Sequence, residues 1–155
     1  MTLQLLNRSF MKNLKKILSL GIGMYFVTVS VSKIFTFQLF LQTVYSFGVL
    51  PSSVILSFSI CIILVELIGG VALILDVVPI FFSRMLFGTV ILFTIAILIN
   101  LIRGNLIDCG CYGTMVTTSI SWWHVLHNVT LCSLLYGIET LNKRDAMPIR
   151  KQELE

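Results

Sequence analysis

The chain has 155 residues, 57% of them hydrophobic and only 12% charged, with a mean hydropathy of +0.98. A soluble domain carries about 25% charged residues, so this one is solvated chiefly by lipid. The net charge of +4 sits at the ends of apolar runs; it is a topology signal and excludes the basic stripe by which a protein tracks nucleic-acid phosphates.

A spanning helix takes roughly 20 mostly apolar residues, and the apolar sequence suffices for about four of them. Residues 1–16, with Arg8, Lys12, Lys15 and Lys16, read as a cytoplasmic basic tail ahead of a first span at 17–33. A cleaved signal peptide, with Ser30-Val31-Ser32 as its small-residue site, is the alternative reading of this segment. From Phe35 to Phe47 aromatic rings alternate with Gln and Thr, closed by Gly48 and Pro51. That stretch is too short and polar for a span and reads as a short interfacial helix between spans 1 and 2, or as an extension of the first span.

The second span, 53–75, is bounded by Pro51 and by Asp76 and Pro79, and carries Glu66 in mid-run. The third runs over 81–102 and the fourth over 121–140, with a cysteine-bearing loop at 103–120 between them. A charged tail at 141–155 follows and is expected to be mobile. The fold expected is all-α, a four-transmembrane-helix bundle. Arg8, Lys12, Lys15, Lys16, Arg84, Lys143, Arg144, Arg150 and Lys151 fall on one side of it, and only Lys33 and Arg103 on the other. Positive residues are retained on the cytoplasmic side, so both termini are expected there, in an inner or cytoplasmic membrane, with the loop outside.

The loop holds Asp108-Cys109-Gly110-Cys111-Tyr112-Gly113. Two thiols two residues apart can reach one another, but so small a ring strains the preferred disulfide geometry. Bridging such neighbours removes almost no chain entropy, and strained or exposed disulfides are the exchanging ones. An extracytoplasmic location permits the bond to form. Cys109 and Cys111 therefore read as a redox pair, the alternatives being exposed thiols without a role or a lipidation site. A structural zinc site takes four ligands, and the only further candidates nearby are His124 and His127, so no metal is expected. Asp108 disfavours a neighbouring thiolate by like-charge repulsion. Activation is expected instead from the positive start of the fourth span, with His124 or His127 as acid or base.

Within the spans, His124, Asn128, Cys132 and Tyr136 recur every four residues with His127 beside them. This polar row is expected to face the bundle interior near Glu66, as interhelical hydrogen bonding or as a proton relay. A carboxylate inside a span is a functional-site candidate by default. Lys33 is the partner expected for Glu66, unless its long side chain snorkels outward. Gly69 and Gly70 suit close helix approach. Cys61 and Cys132 sit at similar depth and are either inert small hydrophobes or a second redox pair.

Together these residues resemble the MauE/DoxX-like membrane proteins, named for a component of methylamine utilisation. The likeness rests on four spans, Ser32-Lys33 after the first, Glu66-Leu67-Ile68-Gly69-Gly70 in the second, the Asp108-Cys109-Gly110-Cys111-Tyr112-Gly113 loop, and His127-Asn128 where the family pattern has Arg-Asn. The resemblance implies disulfide formation or maturation of exported proteins, and a relation to membrane thiol oxidoreductases that pass electrons to quinone. The function expected is thiol:disulfide exchange with an exported cysteine-containing protein or a thioredoxin-like protein, with quinone as the acceptor that the resemblance suggests. A non-enzymatic assembly or immunity partner for an exported protein, and a small transporter using Glu66, are the alternatives.

Overall fold

The computed structural model describes the backbone at residues 2–104 and 121–152, and side chains at 11, 13–104 and 121–142. Five helices follow in order: α1 Thr2–Phe35, α2 Phe37–Ser46, α3 Ser52–Ile74, α4 Pro79–Ile102 and α5 Trp122–Gln152. Two differ from expectation at the chain ends. The basic segment before residue 17 is the first part of α1, and the charged segment past 140 continues α5 as helix to Gln152.

The joints follow from local chemistry. Thr36 leaves helical geometry (φ −114°, ψ 35°), which separates α2 from α1. The ladder nevertheless carries through, with Thr36 N–H donating to Ser32 O and Phe40 N–H to Thr36 O. The segment after the first long helix is a short helix that the backbone of Thr36 sets off from α1 while the hydrogen-bond ladder continues across the joint. Gly48 at φ +61° ends α2 in the left-handed conformation that a residue without Cβ adopts freely. Pro51, extended at ψ 143°, then starts α3. At the other end Pro79 occupies the first turn of α4, where its missing N–H costs no helical bond.

Among the described residues, three helices are long and apolar enough to cross a membrane: Asn13–Phe35, Ser52–Ile74 and Pro79–Ile102. The fourth expected span is not among them, because His124, His127, Asn128 and Glu139 dilute the apolar content of α5.

The four long helices pack in the cyclic order α1, α3, α4, α5, with α1 closing on α5 and α2 lying against α3. Two core layers fill the bundle. At the end carrying α2, Phe40, Val44 and Phe47 meet Ile55, Ile62 and Ile63 of α3 and Phe93 and Ile97 of α4. Toward the far end Ile22, Phe26, Leu73, Leu86, Val90, Leu131, Leu135 and Ile138 bring all four long helices together. Side-chain hydroxyls stitch the far layer: Ser19 Oγ donates to Leu73 O at 2.8 Å and Ser83 Oγ to Leu135 O at 3.0 Å.

Lipid tails are as apolar as the core, so burial gives little drive for helices to associate and close packing has to supply it. Such a close approach occurs where α1 crosses α3. A Cβ on Gly23 would lie 2.7 Å from Gly70 O, and one on Gly70 would lie 2.9 Å from Gly23 O. Backbone blocks both positions, whereas a Cβ on Gly69 would press on the Leu86 side chain, at 3.0 Å. We predict that Gly70→Ala destabilises the purified protein by about 1–3 kcal/mol through overpacking. Gly21→Ala, facing open space, should be neutral or slightly stabilising in the same thermal unfolding assay.

Candidate functional site

Lys33 and Glu66 meet inside the bundle. Lys33 lies in the last turn of α1, and Glu66 lies more than three turns into α3. Side chains lean toward the N-terminus of their helix. On antiparallel helices Lys33 thus leans away from the α2 end and Glu66 leans toward it, which closes the offset between them. Lys33 Nζ donates to both carboxylate oxygens of Glu66 at 2.8 Å. Their side chains are 2% and 4% exposed, so Lys33 does not snorkel.

Aromatic rings cover the cation. Lys33 Nζ lies 5.0 Å from the ring centroid of Phe40 on α2 and 4.7 Å from that of Phe93 on α4. Both distances suit attraction of the ammonium by the ring quadrupoles. The amide of Asn100, fully buried, donates to Phe47 O at 3.2 Å and to Ala96 O at 3.0 Å, tying α4 to the end of α2. Four helices thus converge on one ion pair: α1 and α3 supply it, α2 and α4 cover it.

On α5, His124 and Asn128 are each 6% exposed. The backbone N–H of Ser121 donates to His124 Nδ1 at 3.3 Å, folding the imidazole back on the helix start. His127 Nε2 lies 3.0 Å from the hydroxyl of Tyr25 and joins α5 to α1. The four-residue row expected on this helix does not stay on one face. At 3.6 residues per turn each step of four drifts by about 40°, and by Tyr136 the row has turned outward, to 61% exposure. The buried row is His124, Asn128, Leu131, Leu135 and Ile138. It faces α1 and α4; among the described residues α5 makes no backbone contact with α3, so the row expected beside Glu66 is not beside it.

The second redox pair is likewise corrected. Cys61 and Cys132 are both free thiols. Cys61 is exposed on the lipid-facing side of α3, beside Phe82 and Met85, and Cys132 packs against the far core layer on α5. Equal depth did not bring them together, because α3 and α5 stand diagonally across the bundle.

Several contributors were not singled out from the sequence. Phe40, Phe93 and Asn100 build the cover of the ion pair, and Asn100 alone carried a signal, as an amide within an apolar run. Glu139 pairs with Arg84 (Nη2 to Oε1, 2.6 Å) and Asp76 with Lys15 (Oδ1 to Nζ, 3.2 Å), both at the far end.

Asp108, Cys109 and Cys111 lie outside the described residues, but the loop's anchors do not. Gly104 follows the α4 end that Asn100 fastens to Phe47. Ser121 precedes α5, whose first-turn Val125 packs on the core layer containing Phe40 and Phe47. Both anchors therefore sit at the α2 end, the end at which Lys33 closes α1.

Apolar helices around a buried ion pair define a multi-pass membrane protein. A family model described as methylamine utilisation protein MauE matches residues 11–138, and the chain belongs to that family. The methylamine utilization protein MauE of Paracoccus denitrificans is 28% identical to it over 124 residues, 79% of this chain and 67% of that protein. No solved structure matches.

The geometry of the ion pair makes a direct prediction. Removing one partner strands the other charge in a dry interior, so Lys33→Met or Glu66→Met alone should lower stability by about 3–5 kcal/mol. Lys33→Met combined with Glu66→Met should recover most of that loss. Unfolding of the four proteins in detergent gives the coupling directly, and additive losses would contradict the pairing.

Proposed function

We propose that the chain is a membrane thiol:disulfide redox protein whose Cys109 and Cys111 exchange disulfides with an exported cysteine-containing or thioredoxin-like partner. In this reading α5 is the fourth span, with its polar residues turned into the bundle, and α2 lies at the outer interface. Both termini are then cytoplasmic, as the Lys and Arg distribution favours.

The observation that carries the proposal is the anchoring of the cysteine loop. One end, Gly104, follows the part of α4 that Asn100 ties to Phe47, and the other, Ser121, precedes the Val125 turn of α5 on the core layer of Phe40 and Phe47. Two loop ends anchored on packed helices suit a site that must present two thiols to a macromolecule. The His124 imidazole, in the first turn of α5 after the loop, is the acid or base this reading assigns to proton transfer at the thiols.

Exchange then runs in two steps. A loop thiolate attacks a partner disulfide, forming a mixed disulfide and releasing one partner thiolate. The second loop cysteine displaces the other partner sulfur, leaving the loop oxidised and the partner reduced by two electrons. The reverse sequence oxidises a partner dithiol and reduces the loop. The electrons pass to or from the partner's thiols, and a quinone is the further acceptor that the family resemblance suggests. The Paracoccus denitrificans relative is named for methylamine utilization, and we carry to this chain a role in maturing an exported protein of such a system. Glu66 is buried and bound through both oxygens to Lys33, whose ammonium two rings cover, which favours this reading over one that moves solutes past Glu66.

Cys109→Ser and Cys111→Ser test the proposal in membranes of an expressing cell. One of the two variants should hold a covalent partner that mass spectrometry identifies and that a reductant releases. Full function of the doubly substituted chain, with no adduct on either single variant, would sink it.

A further inference from the structure

Outside the ion pair, the α2 end carries a second feature that the redox reading does not use. A cleft of about 100 Å³ opens between α2, α3 and α4, lined by Val44, Phe47, Leu50, Phe58, Phe93 and Ala96 among others, all apolar. Its α4 rim, Leu92 and Ile95, is about half exposed, so the cleft faces the hydrocarbon. An apolar groove there has no polar group to orient a polar ligand, and its shape suits part of a hydrocarbon chain.

A cation stands at the outer mouth of the same groove. Leu92, Ala96, Ile99 and Arg103 follow one another at steps of three and four along α4 and share a face of that helix. Arg103 is exposed, and its Nη1 lies 4.0 Å from the Cβ position of Gly48. Gly48 is the residue before Val49 and Leu50, which line the cleft. The guanidinium thus hangs over the α2–α3 turn, where the groove ends. Among the described residues Arg103 has no salt-bridge partner, and the only other cation at this end, Lys33, is consumed by Glu66.

We propose that the cleft and Arg103 form a binding site for one anionic phospholipid, with an acyl chain in the groove and the headgroup phosphate on the guanidinium. Charge selects the headgroup: an exposed guanidinium next to a chain-sized groove matches a phosphate in planar, two-pronged fashion and favours a lipid with net negative charge over a zwitterion. The occupant also bears on the interior. Phe93 is at once a wall of the cleft and a cover of Lys33, so a chain in the groove seals the ion pair from the lipid side. The site is independent of any chemistry at the cysteine loop.

Native mass spectrometry of the full chain, exchanged into micelles containing equal phosphatidylglycerol and phosphatidylcholine, tests the site. The wild type should retain one phosphatidylglycerol preferentially. Arg103→Gln should reduce that preference by about fivefold, the pull of one exposed cation on an anionic headgroup. Arg103→Lys should keep most of it, and Lys16→Gln, an exposed cation at the far end, should leave it unchanged. Ala96→Phe, which fills the groove, should abolish retention of the tightly held lipid with the helix content intact. Equal retention of both lipids, an undiminished preference in Arg103→Gln, an equal loss in Lys16→Gln, or a phosphate-free molecule in the groove would overturn the proposal.

Discussion

A charged side chain on a helix in lipid has two refuges: the headgroup region, reached by snorkelling, or an opposite charge inside the protein. Lys33 is close enough to the end of α1 for the first and takes the second. Two contacts of 2.8 Å to Glu66 and two aromatic faces within 5.0 Å replace its water. That arrangement demands much of its surroundings. A buried pair is tolerated only when its remaining valences are met and water is kept out, so α2 has to lie where it does, and Phe93 has to point where it does. The Gly23 and Gly70 crossing serves the same end by bringing α1 and α3 close enough for the pair to form.

This constraint makes one end of the bundle stiff and specific while the other is held by more ordinary means. At the far end the charged contacts are Lys15 with Asp76 and Arg84 with Glu139, each with at least one strongly exposed member, and such pairs contribute little. At the α2 end, Asn100 locks the last turns of α4 to Phe47 and Val125 sets the start of α5 on the same aromatic layer. The cysteine loop hangs between those two points. The family to which the chain belongs is matched across this whole region, from residue 11 to 138, with Lys33, Glu66, both loop cysteines and His127 inside the match.

Much of this was legible in the sequence because hydropathy and helix period report directly on lipid exposure and facing. The all-helical membrane fold, the short helix after the first long one and the special status of Glu66 follow from composition, from aromatic and amide residues in a short run, and from one carboxylate in apolar surroundings. What the sequence could not supply is who faces whom across the bundle. Cys61 and Cys132 share a depth, yet depth says nothing about whether two helices are neighbours or diagonal. Tyr136 continues a four-residue spacing, yet such a row rotates off its face within three steps. Phe40 and Phe93 look like any aromatic residues in a hydrophobic run, and only the inward turn of Lys33 gives them a task. Helix runs on through the charged residues 2–16 and 141–152 for a related reason: charge marks where lipid ends, and a helix can continue past that point.

The central claim is that Lys33 turns inward and stays bound to Glu66 when the chain is in a bilayer. Solid-state NMR can measure the separation directly, by dipolar recoupling between ¹⁵N at Lys33 Nζ and ¹³C at the Glu66 carboxyl carbon in reconstituted membranes. The account predicts strong dephasing from a direct contact that persists at high ionic strength, with Lys33 Nζ shielded from exchange with bulk water. A Lys33 signal in exchange with water and without dephasing from Glu66 would contradict it.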